Sequence, residues 1–163
     1  MSPDPDVEIS IAAQRLWLRR GGEVLMDCAV STARNGPGER MDSECTPRGA
    51  HVVCEKIGAD CAPGTVFVGR SPTGEVYSPA LRSRYPQRDW ILTRILWLGG
   101  IEPGRNAGGE VDSRSRYIYI HGAPDDATMG TPGSRGCVRM RNADIVELFD
   151  AVKVGTRVLI RED

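Results

Sequence analysis

Cys137 and His121 are the pair of residues in this sequence whose types and spacing suggest chemistry. His121 follows the strand-like segment Tyr-Ile-Tyr-Ile at 117–120, and Cys137 follows Gly136 in a stretch rich in glycine and proline. A thiol ionises little at neutral pH until a nearby imidazolium or oriented main-chain amides lower its pKa. A histidine at the end of a strand, opposite a cysteine on a tight turn, would supply that environment. The pair predicts a cysteine nucleophile, Cys137, with His121 as its base.

The residues that flank Cys137 suit acyl transfer. Gly136 permits a sharp turn, and the main-chain N–H groups of Gly136 and Cys137 could stabilise an oxyanion. Arg139 suits a substrate carboxylate, because its planar guanidinium can bind one through two hydrogen bonds. The alternative is that all three residues are structural. Cys137 would then be a small buried residue, His121 would end a strand, and Arg139 would form an ion pair. Spacing alone does not decide between the two interpretations.

Alternation of apolar and polar residues predicts strands along most of the chain. Two of them, Gln14–Arg20 and Glu23–Ser31, form a predicted hairpin across Gly21-Gly22. The other predicted strands are the alternating segment around Val7–Ile11, then Gly49–Ile57, Thr65–Arg70, Trp90–Leu98, Tyr117–Ile120 and Thr156–Ile160. Glycine, proline and polar residues predict surface loops at Asn35–Arg48, Ser71–Asp89 and Gly99–Ser115. The last two loops are candidates for the walls of a cleft, because long loops in compact domains tend to be functional.

One late segment has helical periodicity. Ile145, Leu148, Phe149 and Val152 recur at the spacing that places them on one face of a helix. Asn142 is positioned to cap the first turn of this helix. The elements together predict a mostly β domain with one late helix.

Length and composition limit the class of protein. The 163 residues suit one domain, residues 1–163, and 21 basic against 22 acidic residues argue against a nucleic-acid binder. No stretch approaches the length of a membrane span. The first 20 residues contain no apolar segment typical of a secretory signal, so we expect a cytoplasmic protein, or a periplasmic one if a signal was removed.

The chain has five cysteines, an odd number that favours a reducing compartment. Cys54 and Cys61 could form a disulfide or bind a metal, but paired C-x-x-C spacing is absent and free thiols are the preferred interpretation. Acyl transfer through a thiol needs no metal or organic cofactor, and none is expected.

The region from His121 to Arg139 resembles the YkuD-type L,D-transpeptidase catalytic domain. The family signature is His-Gly after a strand, followed by Ser-x-Gly-Cys-Val/Ile-Arg, which here reads His121-Gly122 and then Ser134-Arg135-Gly136-Cys137-Val138-Arg139. The Ser-Thr turn at 30–36 and the Thr-Pro-x-Gly element at 46–49 also match, so the resemblance covers nearly the whole chain. Position 135 is arginine where histidine is commoner in the family, which argues against a proton-transfer role there.

The resemblance implies a mixed β-sandwich and a set of roles. Cys137 would attack the carbonyl of the third residue of a peptidoglycan stem peptide, a diamino acid, and His121 would pass the proton to the leaving D-alanine. The main chain of Gly136 would hold the oxyanion. Ser134 and the main chain of Gly122 would orient His121, although a turn hydrogen bond is an equal alternative for Ser134. Substrate binding would fall to Arg139 and Arg135, and a carbapenem would be a covalent inhibitor.

The acyl acceptor defines the alternatives. The segments at 45–58, 89–98, 101–106 and 116–126 resemble a short branch of the family without a signal, linked to cytoplasmic L,D-carboxypeptidase activity in murein recycling. Water as acceptor would trim a tetrapeptide stem to a tripeptide. An amine from a second stem would form a 3→3 cross-link, and a wall-peptide binding module without activity is a further alternative. His51 is interpreted as a core histidine and not as a second catalytic one.

Overall fold

A computed structural model describes residues 4–163, in which ten strands join one hydrogen-bonded sheet. The strands are β1 Asp6–Ser10, β2 Arg15–Arg20, β3 Glu23–Ala29, β4 Gly49–Ile57, β5 Thr65–Val68, β6 Ser71–Val76, β7 Ile91–Gly100, β8 Tyr119–Ala123, β9 Val138–Arg141 and β10 Arg157–Arg161. The α-helices are α1 Pro79–Arg84 and α2 Asn142–Ala151. The predicted hairpin of β2 and β3 and the mostly β fold with a late helix are confirmed. None of the helices in residues 4–163 combines the length and apolar character that crossing a bilayer requires.

β7 is the branch point of the sheet, whose main order is β3-β2-β1-β10-β4-β7-β5-β6. Ile95 of β7 pairs with Ile57 of β4 on one edge and with His121 of β8 on the other. Leu92, near the start of β7, pairs with Val66 of β5. β4 and β5 therefore follow each other along one edge of β7. β8 uses the opposite edge and also pairs in parallel with β9.

Helix α2 fixes the two strands that carry the candidate site. Ile145, Leu148 and Phe149 are buried, as their spacing predicted, and α2 packs on β7, β8 and β9. These side chains join a core that includes Leu96 of β7 and Ile120 of β8. Burial of one such large side chain contributes roughly 1.5–3 kcal/mol, so the apolar face of α2 holds β8 and β9 against the sheet.

The segment predicted as loop Ser71–Asp89 contains regular structure. β6 pairs with β5, and the short helix α1 begins where Ser78 Oγ accepts a hydrogen bond of 3.0 Å from the main-chain N–H of Leu81. Ser78 followed by Pro79 is a helix-start signal that was readable in the sequence. β9 was also missed, because its four residues run directly into α2 and show no separate period.

The prediction that Asn142 caps α2 was wrong. The N-cap is Arg141, whose side chain makes no capping hydrogen bond, and Asn142 is the first helical residue. Its side chain accepts a hydrogen bond from Thr93 Oγ1 and donates one to Asp125 Oδ1. Partners from β7 and from the loop after β8 therefore outcompete the local capping interaction.

Candidate active site

Parallel pairing of β8 with β9 brings His121 and Cys137 together. His121 lies opposite Arg139 in this register, and Cys137 directly precedes β9. Alternate residues of a strand share a face, so Tyr119 and His121 project on one side of β8, and Cys137 and Arg139 project on the matching side of β9. All four line one cleft of about 400 Å³. His121 thus lies in the middle of β8. The sequence pattern had predicted it at the end of a strand.

The environment of Cys137 raises the pKa of its thiol. Burial raises its pKa to about 12, although the main-chain N–H of Tyr119 and the charges of Arg139 and Arg116 favour the thiolate. Sγ accepts a hydrogen bond from the Tyr119 N–H and donates one to the carbonyl of Tyr117, each at 3.4 Å. The expected lowering of the Cys137 pKa is therefore not found, because desolvation outweighs the nearby donors.

His121 is buried and holds a defined tautomer. Its Nδ1 lies 2.6 Å from the carbonyl oxygen of Gly122. A carbonyl only accepts hydrogen bonds, so Nδ1 carries the proton and Nε2 of the neutral ring is an acceptor. Burial lowers the pKa of His121, partly opposed by the charge of Asp89. The imidazole is thus neutral at pH 7, and its Nε2, which bonds to no other residue in 4–163, is available as a base.

Ser134 shapes the turn that presents Cys137. Its Oγ donates to the carbonyl of Cys137 at 2.5 Å and accepts from the N–H of Gly136 at 3.1 Å. Gly136 has a φ of +131°, which L side chains rarely adopt. Ser134 makes hydrogen bonds within the turn and none to His121. Of the two roles considered for it, the turn hydrogen bond is therefore the one observed. Because the Gly136 N–H is already bonded, the Cys137 N–H is the remaining candidate donor to an oxyanion.

The Ser-Thr and Thr-Pro elements that carried the resemblance support this turn. Thr46 Oγ1 donates to the carbonyl of Gly136 at 2.8 Å and accepts from the N–H of Ala33 at 2.9 Å. Ser31 and Arg139 exchange two main-chain hydrogen bonds of 2.9 Å. Residues distant in sequence therefore hold both ends of the segment that carries the nucleophile.

Charged side chains give the cleft a cationic character. Arg139 donates from Nη2 to Asp89 Oδ1 at 3.3 Å, and both side chains are partly exposed. Arg70, Arg116 and Arg135 also line the cleft, so four arginines surround the single carboxylate of Asp89. Guanidinium groups bind carboxylates through charge-assisted hydrogen bonds. The predicted substrate-binding residues Arg139 and Arg135 both lie at the cleft, whose charge suits an anionic peptide.

Asp89, Arg70 and Arg116 also line the cleft and were not among the predicted site residues. Arg70 stacks over the ring of Trp97 at 4.7 Å and donates to the hydroxyl of Tyr119 at 3.1 Å. Arg116 donates to the carbonyl of Cys45 at 2.8 Å. No local pattern marks these residues, since each reaches the cleft through contacts with other elements. Of the two loops expected to form its walls, the first contributes Asp89 and Gly99–Ser115 contributes no lining residue.

The described residues do not present a metal site. Across 4–163, no group of three or more histidine, cysteine or acidic side chains is placed to hold an ion. All five cysteines are free thiols, including Cys54 and Cys61, for which a disulfide was the alternative.

Comparison with known proteins identifies the family. The YkuD family model, described as the L,D-transpeptidase catalytic domain, matches residues 4–160. The chain belongs to this family. Over 92 residues it is 44% identical to "Putative L,D-transpeptidase YkuD" of Bacillus subtilis (strain 168), which covers 56% of this chain and 45% of that protein. Over 83 residues it is 51% identical to "Probable L,D-transpeptidase ErfK/SrfK" of Escherichia coli (strain K12). That alignment covers 51% of this chain and 26% of that protein.

Solved structures agree with the fold of this L,D-transpeptidase family domain. L,D-transpeptidase 3 from Mycobacterium tuberculosis, in complex with a faropenem-derived adduct, superposes with a TM-score of 0.60 at 17% identity. The match covers 98% of this chain and 61% of that one, and identity at this level shows the fold alone. The aligned regions span less than half the length of the two curated relatives. The family membership predicted from the motif around Cys137 is confirmed. This is a family with a function in peptidoglycan.

Proposed function

We propose that this chain is a cysteine acyl-enzyme that cleaves the bond between the third residue, a diamino acid, and the D-alanine at position four of peptidoglycan stem peptides. The observation that carries the proposal is the presence of the Cys137 thiol and the neutral, Nε2-acceptor imidazole of His121 in one cleft. The arginines of that cleft suit a peptide rich in carboxylates. Membership of the L,D-transpeptidase family supports the same bond as the target.

The chemistry follows from the protonation states. As Sγ of Cys137 bonds to the substrate carbonyl carbon, its proton passes to Nε2 of His121. The Cys137 N–H would donate to the oxyanion of the tetrahedral intermediate. The C–N bond then breaks, and the amine of D-alanine leaves with the proton returned by His121. A thioester of the third stem residue on Cys137 remains.

We propose water as the acceptor of this thioester, which makes the chain an L,D-carboxypeptidase of cytoplasmic murein recycling. The support is the resemblance of segments 45–58, 89–98, 101–106 and 116–126 to the branch with that activity. Hydrolysis releases the tripeptide and restores the thiol of Cys137.

L,D-transpeptidation outside the cytoplasm is the second candidate, with an amine of another stem as acceptor. The cleft shares Ser134, Arg135 and Arg139 with an adjoining groove of about 330 Å³, which Arg34 and Glu44 also line. A groove beside the nucleophile offers room for a second peptide. The names of the similar proteins point to this reaction.

Product analysis tests both candidates. The protein is incubated with a purified tetrapeptide muropeptide, with and without a diamino-acid acceptor, beside a Cys137→Ala control. Tripeptide and free D-alanine in equal amounts, absent from the control, support the carboxypeptidase. Cross-linked product alone would reject hydrolysis in favour of transfer. Binding of the muropeptide without any product would overturn the enzyme and favour a binding module.

We also propose that Cys137 is acylated by carbapenem and penem β-lactams. A similarly folded protein, L,D-transpeptidase 3 from Mycobacterium tuberculosis, carries a faropenem-derived adduct. Ring opening by the thiol would leave a thioester. Mass spectrometry of the intact protein should show the added mass in the native chain, and the same mass on Cys137→Ala would rule out this residue.

A further inference from the structure

A bulge in β7 lies opposite the peptide that joins His121 to Gly122. Ile95 pairs with His121 and Leu92 pairs with Gly122, so Thr93 and Arg94 are inserted into β7 where β8 has no additional residue. Bulges are common beside active sites, where they redirect side chains. This one redirects Thr93 toward the start of α2.

Thr93 holds a conformation that its side chain disfavours. It is buried and has a φ of +75°, an outlier for a β-branched residue. Arg94 secures the bulge, because its guanidinium donates to the carbonyls of Thr93 at 2.7 Å and Cys61 at 2.8 Å. Backbone strain of this kind persists only where the surroundings determine the conformation, and it is concentrated at functional sites.

The hydroxyl of Thr93 fixes the amide of Asn142. Oγ1 accepts from the N–H of Gly64 at 3.0 Å and donates to Oδ1 of Asn142 at 2.5 Å. Nδ2 of Asn142 donates to Oδ1 of Asp125 at 3.1 Å. Because its oxygen meets a donor and its nitrogen meets an acceptor, the Asn142 amide has one orientation.

Gly122 lies against this amide. A Cβ at Gly122 would lie 2.6 Å from the carbonyl oxygen of Leu92 and would collide with Oδ1 of Asn142. Only glycine at position 122 therefore lets the bulge and the Asn142 amide pack this closely on its Cα. The carbonyl group of Gly122 itself, in the peptide that follows, accepts the Nδ1–H of His121 at 2.6 Å. Thr93 and Asn142 thus pack against the Cα of Gly122, and the carbonyl bonded to that Cα sets the tautomer of His121.

We propose that Thr93 and Asn142 are positioning residues for His121, acting through the Gly122 carbonyl to keep Nε2 unprotonated and directed into the cleft. Neither residue lines the cleft, so they cannot contact substrate there. The inference rests on the proposed role of His121 as the base.

The test compares Thr93→Val, which keeps the shape and removes the hydroxyl, with Thr93→Ser, which keeps the hydroxyl. The chain has two histidines, so NMR of ¹⁵N-histidine-labelled protein reports the tautomer of His121 with His51 as an internal reference. We expect Thr93→Val to mix the two His121 tautomers and to lower kcat on tetrapeptide roughly ten- to a hundredfold, with KM within about threefold. Thr93→Ser should restore both.

Thr156→Val is the matched control. Thr156 is also buried, and its hydroxyl accepts from the N–H of Lys153 at the turn before β10. This variant should keep the His121 tautomer and kcat of the native chain. If Thr93→Val does not fold, Asn142→Ala removes the other end of the same hydrogen bond.

Native tautomer and native kcat in a folded Thr93→Val or Asn142→Ala protein would overturn the inference. Equal losses in Thr93→Val and Thr93→Ser would also overturn it, because the hydroxyl would then not be the cause. The NMR measurement does not depend on turnover. If the native chain cleaves no tetrapeptide but Thr93→Val still alters the His121 tautomer, the proposed function fails and the positioning role stands.

Discussion

The two histidines of this chain occupy similar environments and differ in one hydrogen bond. Both are buried, and both donate from Nδ1 to a main-chain carbonyl, His121 to Gly122 at 2.6 Å and His51 to Gly49 at 3.0 Å. Burial lowers the pKa of both, that of His51 to about 4. Nε2 of His51 accepts from Ser113 Oγ at 2.8 Å, whereas Nε2 of His121 has no such partner within 4–163 and lies in the cleft with Cys137.

The difference shows what separates a base from a structural histidine. A neutral buried imidazole accepts a proton readily only where its acceptor nitrogen is free and a donor is close. Both nitrogens of His51 have partners: Nδ1 bonds within β4 to Gly49, and Nε2 ties β4 to Ser113 in the loop between β7 and β8. That connection is reinforced by Glu102, which accepts from the N–H of Ala50 at 2.7 Å. Burial and tautomer alone would not have distinguished the two sites.

The largest expected effect comes from removing the thiol beside His121. Cys137→Ala should abolish both turnover and β-lactam acylation, because no other group in the cleft can form the thioester. Cys54→Ala removes a thiol next to Gly99, outside the cleft, and should retain full activity. Residual turnover in Cys137→Ala above the buffer rate would contradict the assignment of the nucleophile.

Replacing each histidine by glutamine tests the comparison directly. His121→Gln should lower kcat about 10²- to 10⁴-fold, the usual contribution of a general base. His51→Gln can still donate and accept in its site, and should stay within about threefold of the native kcat. The comparison fails if the two variants lose activity equally while both remain folded by circular dichroism.

The stability of the fold should depend on pH through His51. Its folded pKa of about 4 lies below the ordinary 6.5, so between these values the unfolded chain binds the proton and the folded chain does not. The contribution of His51 to the free energy of unfolding should therefore be fully present above pH 6.5. It should decrease by about 3 kcal/mol as the pH falls to 4. Urea titrations at several pH values measure it. An unchanged pH dependence in His51→Gln would show that another group is responsible.

The pH dependence of the reaction gives the smallest and most specific effect. Since burial lowers the pKa of His121, the acid limb of kcat/KM should lie at lower pH than for a histidine with the ordinary pKa. The charge of Asp89 raises the pKa of His121, so Asp89→Asn should move this acid limb to lower pH. A rise in kcat/KM between pH 7 and 9 would instead report thiolate formation, contrary to a Cys137 pKa near 12.

Local periodicity made much of the fold predictable. The apolar face of α2 and the Gly21-Gly22 hairpin depend on contacts a few residues apart, and both were predicted at nearly their observed bounds. β6 and α1 were missed because Ser71–Val76 has no buried side and α1 buries no residue. Elements without an apolar face leave little periodic signal for a sequence pattern to report.

The sequence by itself determined the family and the candidate pair Cys137 and His121, because these are encoded in a short motif, and local alternation placed a strand just before His121. Only the tertiary structure decided which groups surround the pair. Asp89 meets Arg139 across the cleft, and Thr93 meets Asn142 through the β7 bulge. The tertiary structure also reversed the expected direction of the pKa shift of Cys137. Desolvation depends on all the atoms packed around a group, and the spacing of residues along the chain does not record them.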